Sequence, residues 1–221
     1  MKKCFSISVL GLTLGVSAAL AGTVNGQVDG YNISFGFDVS NTFTLGSATT
    51  ITGAEIYVWE APGDTMTGVE WSIGNVRESS SLGGPTFAST TDTFQFVNQY
   101  GFDVDLVTFA IAPGVSLGPG TYWFTLQFAG SALSNYIFWD ANNGPSAAFQ
   151  GGVGSLGDLA VNGPDCQPGG AFAGGTCSEA FRLLSDRAVV YANNPTVPEP
   201  TSAVLLGGGL LVLGLVRRKR K

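Results

Sequence analysis

Histidine is absent from the 221-residue chain, and no lysine lies between Lys3 and Lys219. The first absence removes the commonest general base, nucleophile activator and metal ligand. Ser-His-Asp and Cys-His catalysis, His-ligated zinc and His proton shuttles are therefore excluded. Charged residues are scarce, at 12% of the chain. Between residues 22 and 196 the basic side chains are Arg77, Arg182 and Arg187, set against fifteen carboxylates. A surface this negative repels phosphate backbones, which argues against nucleic acid as a partner. The three cysteines are too few for a disulfide scaffold, and without His the two beyond Cys4 cannot complete a zinc site. The 32 Gly and 10 Pro follow no G-X-Y period, so the chain is not collagen-like.

All the lysine and half of the arginine sit at the two ends. Met1, Lys2 and Lys3 are followed by an apolar stretch with small residues and then by Ala19-Leu20-Ala21. Basic, apolar and small residues in that order form a secretory signal peptide over 1–21, cut after Ala21 by signal peptidase, which reads Ala19 and Ala21. The mature chain then starts at Gly22, and Cys4 leaves with the signal. At the other end Val197-Pro198-Glu199-Pro200 precedes an apolar segment over 201–216, and Arg217-Arg218-Lys219-Arg220-Lys221 closes the chain. As a helix the apolar segment spans roughly 24 Å against a hydrocarbon core of about 30 Å, so it needs snorkelling Arg and Lys or a thinned bilayer. The basic cluster keeps its own side cytoplasmic, which faces the preceding domain outward. Pro198 and Pro200 fix two φ angles and remove two N–H donors, leaving the spacer extended and open to a protease.

The tripeptide, the short Gly-bearing helix, the basic tail and the matching signal peptide together resemble the PEP-CTERM sorting signal of exported bacterial proteins. The resemblance covers 197–221, with 197–200 as the motif, 201–216 as the transmembrane helix and 217–221 as the basic stop. It implies processing near the tripeptide by an exosortase-type membrane cysteine protease. It also implies an inner-membrane anchored intermediate and a final place at the cell surface or in an exopolysaccharide matrix. A permanent single-span anchor with a proline spacer is the competing reading.

The region 22–196 is expected to be one all-β domain, an antiparallel sandwich of jelly-roll type. Tyr31, Ile33, Phe35, Phe37 and Val39 alternate with polar residues, the pattern of a half-buried strand. Further strands are predicted at 54–59, 69–73, 93–96, 103–111, 121–128, 136–139 and 180–184, with 188–191 as one more. Within 103–111, Val104 and Leu106 hold one phase and Val107, Phe109 and Ile111 the other, which a bulge near Leu106 would reconcile. Ala112-Pro113-Gly114 and Gly118-Pro119-Gly120 read as turns. Cys166 and Cys177, an even pair in an oxidising compartment, are predicted to form a disulfide. The segments Leu117 to Trp123, Phe138-Trp139-Asp140, Asn143 to Ser146 and Phe181 to Leu184 resemble those of many PEP-CTERM ectodomains, which implies a sandwich and an extracellular role but no catalytic residue.

Candidate ligand-binding residues are Trp59 and Trp139, with Asp140 and Asn142 beside the latter, because sugar-binding sandwich modules stack exposed Trp rings beside carboxylates and amides. The bland alternative buries both rings. Calcium is compatible with Asp103 and Asp105 on one strand face, or with Asp140, Asn142 and Asn143 on a loop. A solvated acidic face explains the same residues. An enzyme would have to use paired carboxylates, as a polysaccharide hydrolase does, and no pair is singled out. The expectation is therefore binding or structure rather than turnover, with exopolysaccharide as the candidate ligand and no catalytic residue, cofactor or defined metal site.

Overall fold

The computed structural model of the protein describes residues 29–142, 144, 147–167, 169–170, 177–185 and 190–191. The expected signal peptide over 1–21, the sorting motif, the apolar segment 201–216 and the basic tail lie outside these residues. Among the described residues no helix is long and apolar enough to cross a membrane.

The expected all-β, antiparallel character is present, with 64% strand and 3% helix among the described residues. The strands are β1 (Gly30–Asn32), β2 (Phe37–Leu45), β3 (Thr49–Glu60), β4 (Met66–Gly74), β5 (Gly83–Val97), β6 (Asp103–Leu117) and β7 (Gly120–Ser131). They continue with β8 (Phe138–Asn142), β9 (Ala148–Gly152), β10 (Gly157–Asp158), β11 (Ser178–Glu179), β12 (Phe181–Ser185) and β13 (Val190–Tyr191). One helical turn, α1 (Leu159–Asn162), precedes the disulfide segment.

Two separate sheets do not form. The strands run along one path, β1-β8-β3-β6-β5-β4-β7-β2-β9-β10, curled into a half-barrel. The reason is the length of β5, whose residues 83–89 pair with β4 while residues 90–97 pair with β6. A strand that changes partners midway makes a corner between two layers instead of an edge. The inner faces then meet: Phe124 of β7 lies against Phe109 of β6, Trp139 of β8 and Phe181 of β12, with ring centroids 6.4, 5.9 and 5.5 Å apart. Val39, Phe43, Ile56, Trp71, Ile73 and Leu126 fill the rest of this core.

Three local expectations are corrected. The run Tyr31 to Val39 is two strands, because Asn32 Oδ1 accepts from the Ser34 backbone N–H at 2.9 Å and competes with the ladder. Phe35 and Gly36 then take φ of 52° and 91° and turn the chain into β2, which leaves Phe35 59% exposed. The two apolar phases of β6 are two faces, with no bulge in its pairing to β3 there. Val107 and Phe109 enter the main core, whereas Val104 and Leu106 pack outside with Tyr57, Trp59, Phe96, Phe102 and Phe138. The irregularity lies on β5 instead, between Phe94 and Phe96. Ala112-Pro113-Gly114 does not end a strand, since β6 runs through it and resumes pairing with β3 at Val115.

Cys166 and Cys177 are joined by a disulfide with a Cα–Cα distance of 5.6 Å. The sulfurs are buried, each 3.7 Å from the Tyr31 hydroxyl, so the bridge fastens the segment after α1 to β1.

Candidate functional site

Trp59 and Trp139 are not surface platforms. Trp139 is fully buried in the core, where its indole N–H donates to the Ala180 carbonyl at 3.1 Å. Trp59 is 5% exposed on the outer face of β3, and its indole N–H donates to Asp140 Oδ1 at 2.7 Å. Asp140 is itself buried, and burial, only partly offset by that donor, pushes its carboxyl up to about 8. Asp140 and Asn142 belong to β8 and not to a loop, and Asn143 lies outside the described residues. Packing dictates this outcome, because Val58 and Trp59 on β3 pair with Trp139 and Phe138 on β8, so the rings are covered by neighbouring strands.

Exposed aromatic rings lie elsewhere, and two of them begin a row, leading inward to Trp59, that sequence pattern did not single out. Phe35 and Tyr136, 59% and 55% exposed, meet edge to face at 4.9 Å. Tyr136 then contacts Phe138 at 6.1 Å, Phe138 contacts Phe102 at 5.9 Å, and Phe102 stacks on Trp59 at 6.2 Å. Beside this row opens a cleft of about 470 Å³ whose lining includes Tyr136, Phe138, Phe37, Asp29, Asn32 and Gln150. Asp29 Oδ1 accepts from the Gly30 N–H at 2.9 Å, while its Oδ2 is buried without a partner. Burial first, and then Asp165, raises the Asp29 carboxyl to about 6.

A second constellation lies inside the curl. In β3 the core-facing phase Ile56-Val58 ends on Glu60, and in β6 the phase Val107-Phe109 begins on Asp105. Asp92 of β5 pairs with Val107 and so shares that inner face. The three carboxylates each bring an oxygen within 4.8 Å of the other two. The Met66 N–H serves two of them, at 2.6 Å to Asp92 Oδ2 and 3.2 Å to Glu60 Oε1. One further oxygen on each, Glu60 Oε2, Asp92 Oδ1 and Asp105 Oδ1, is buried without a hydrogen-bond partner. Burial, then repulsion from Asp92, Asp105 and Asp64, drives Glu60 up to about 8. Burial also raises Asp92, to about 6, and Asp105. Nearby Asp64 has little exposed surface but is differently served. Four donors, from Thr65, Ser131, Leu133 and Asn135, outweigh its burial and hold its carboxyl below the usual range. Asp103, expected to act with Asp105, instead accepts from the Gly63 N–H at 2.9 Å.

Fold and composition thus define an acidic all-β protein with a buried disulfide. Residues 196–221 match the family model described as the PEP-CTERM protein-sorting motif, and the chain carries that motif. No curated protein and no solved structure matches the chain.

Proposed function

We propose that this is an exported protein that an exosortase-type enzyme processes at its C-terminal motif and delivers to the cell surface or matrix, where it acts by binding or structure and not by turnover. The sorting motif at 196–221 is the observation that carries this reading. The order of extended proline spacer, apolar segment and basic stop is what a membrane protease acting at the outer face requires. Mass spectrometry of the C-terminal peptide from the native host tests it. Loss of the tail from Arg217 to Lys221 on most molecules is expected, and an intact tail on most of them would leave a permanent anchor.

The aromatic row and cleft favour carbohydrate as the ligand. Sugars are held by ring stacking combined with amide and carboxylate hydrogen bonds, and Tyr136, Phe138, Gln150 and Asp29 bring these groups together. Co-sedimentation with the host's exopolysaccharide should be saturable and should weaken at least tenfold in Tyr136→Ala. Equal binding by the wild type and Tyr136→Ala would move the ligand away from this cleft.

A further inference from the structure

A carboxylate buried on the core-facing side of a sheet needs donors, a proton or a cation. The Glu60, Asp92 and Asp105 cluster has one backbone N–H, from Met66, shared between two of its members. No protein cation among the described residues reaches it. Among the described residues the positive side chains are Arg77 and Arg182. Arg182 is paired with Glu55, and the Arg77 guanidinium sits 4.0 Å above the Phe149 ring. Glu60 is wholly buried and Asp105 is 4% exposed, yet each keeps an oxygen with no hydrogen-bond partner. These unpartnered oxygens, on side chains gathered from three adjacent strands, are the observation that points to a ligand beyond the count of acids.

We propose that Glu60, Asp92 and Asp105 form a calcium site on the inner face of the curl, where the end of β3 and the start of β6 meet the middle of β5. Oxygens are the ligands a hard divalent cation takes, and each carboxylate has one to give. Coordination chemistry favours calcium over magnesium. Two ligands held at about 2.3–2.6 Å from one Ca²⁺ can stand up to about 5 Å apart, so oxygens that lie within 4.8 Å of one another need not move closer to bind it. Magnesium needs about 2.0–2.1 Å and near-octahedral geometry with several retained waters, which a buried cluster does not supply. The ion neutralises charge in a place where burial makes that charge costly, and it ties β3, β5 and β6 together. The site is independent of the cleft beside Tyr136 and of C-terminal processing, so neither of those readings stands or falls with it.

Calcium titration of the metal-stripped protein by calorimetry at pH 7.5, paired with thermal melts in millimolar calcium and in chelator, tests the site. One saturable calcium per chain is expected, with a Tm several degrees higher in calcium. Affinity should fall at least tenfold in Glu60→Gln and in Asp105→Asn, two near-isosteric variants whose melts in chelator report folding separately. Absence of calcium heat together with equal Tm in calcium and chelator overturns the proposal. It would mean that protons alone relieve the cluster, and Glu60→Gln should then melt at or above the wild type. Calcium binding that survives in both variants also overturns it, by placing the ion elsewhere.

Discussion

The Trp59 indole N–H donates to Asp140 Oδ1 at 2.7 Å across the β3–β8 ladder, with both side chains buried. The bond is the donor that holds the Asp140 carboxyl to about 8 against its burial. Trp59→Phe keeps most of the ring and removes that donor. The expected cost is about 1.5–3 kcal/mol where Asp140 is ionised and about 0.5–1.5 kcal/mol where it is protonated. Urea unfolding at pH 9 and pH 5 measures both, and an equal loss at the two values would show that the carboxyl does not feel the indole.

Stability should fall as pH rises, the reverse of a domain held by salt bridges. Glu60 and Asp140 are raised to about 8, Asp29, Asp38 and Asp92 to about 6, and Glu179 well above its ordinary value, in each case chiefly by burial. Their unfolded values are 3.8 for Asp and 4.5 for Glu. The native state therefore binds more protons than the unfolded chain between about pH 4 and pH 8, and stability declines through that window. In chelator, Tm should drop steadily from pH 5 to pH 8.5. A Tm that climbs over this range would refute the assignment.

The disulfide should matter more than its position near the end of the domain suggests. Removing it as Cys166→Ala with Cys177→Ala is expected to cost about 2–3 kcal/mol by the loop-entropy argument for its sequence separation of 11. Denaturant unfolding of the oxidised and reduced wild type should give the same difference. A loss under about 0.5 kcal/mol would mean that α1 and the Tyr31 contacts hold the segment alone.

Core and surface aromatics should separate cleanly. Phe124→Ala deletes a fully buried ring that touches Phe109, Trp139 and Phe181, and should cost about 3–5 kcal/mol. Tyr136→Ala, at a ring 55% exposed, should cost about 1 kcal/mol or less, which is what makes it usable in the binding assay. Chemical denaturation of both variants checks the contrast.

The strands were legible because alternation leaves a direct record of which side faces the core. The phase Val107-Phe109-Ile111 and the run Tyr122 to Phe128 both correspond to strands, β6 and β7. Closure into one curled sheet was not legible, since it depends on which strand β5 pairs with along each half of its length. Trp59 illustrates the limit at the site. Its neighbours in sequence, Glu60 and Asp64, suggest a polar rim, but the residues that cover it come from β6, β8 and the segment around Phe102. A signal for the acid cluster did exist. Glu60 and Asp105 continue the inward phases of β3 and β6, and a carboxylate in a core-facing phase is anomalous. Asp92 carries no such mark, because its neighbours Thr91 and Thr93 are polar too and leave the phase of β5 ambiguous in the sequence.

Strand order has a consequence for the proposed export of this chain. None of the first three strands pairs with another of the three. β1 waits for β8, β2 for β7 and β9, and β3 for β6, β8 and β12. The first ladder that can close in chain order is the hairpin of β4 and β5. A chain threaded N-terminus first thus keeps β3 unpaired until β6 has emerged, β2 until β7 and β1 until β8, near residue 142, and so its leading part stays extended enough to thread. The same delay leaves three strands without partners during transit, which makes the arrival of β8 the event that ends the period of aggregation risk for the leading strands.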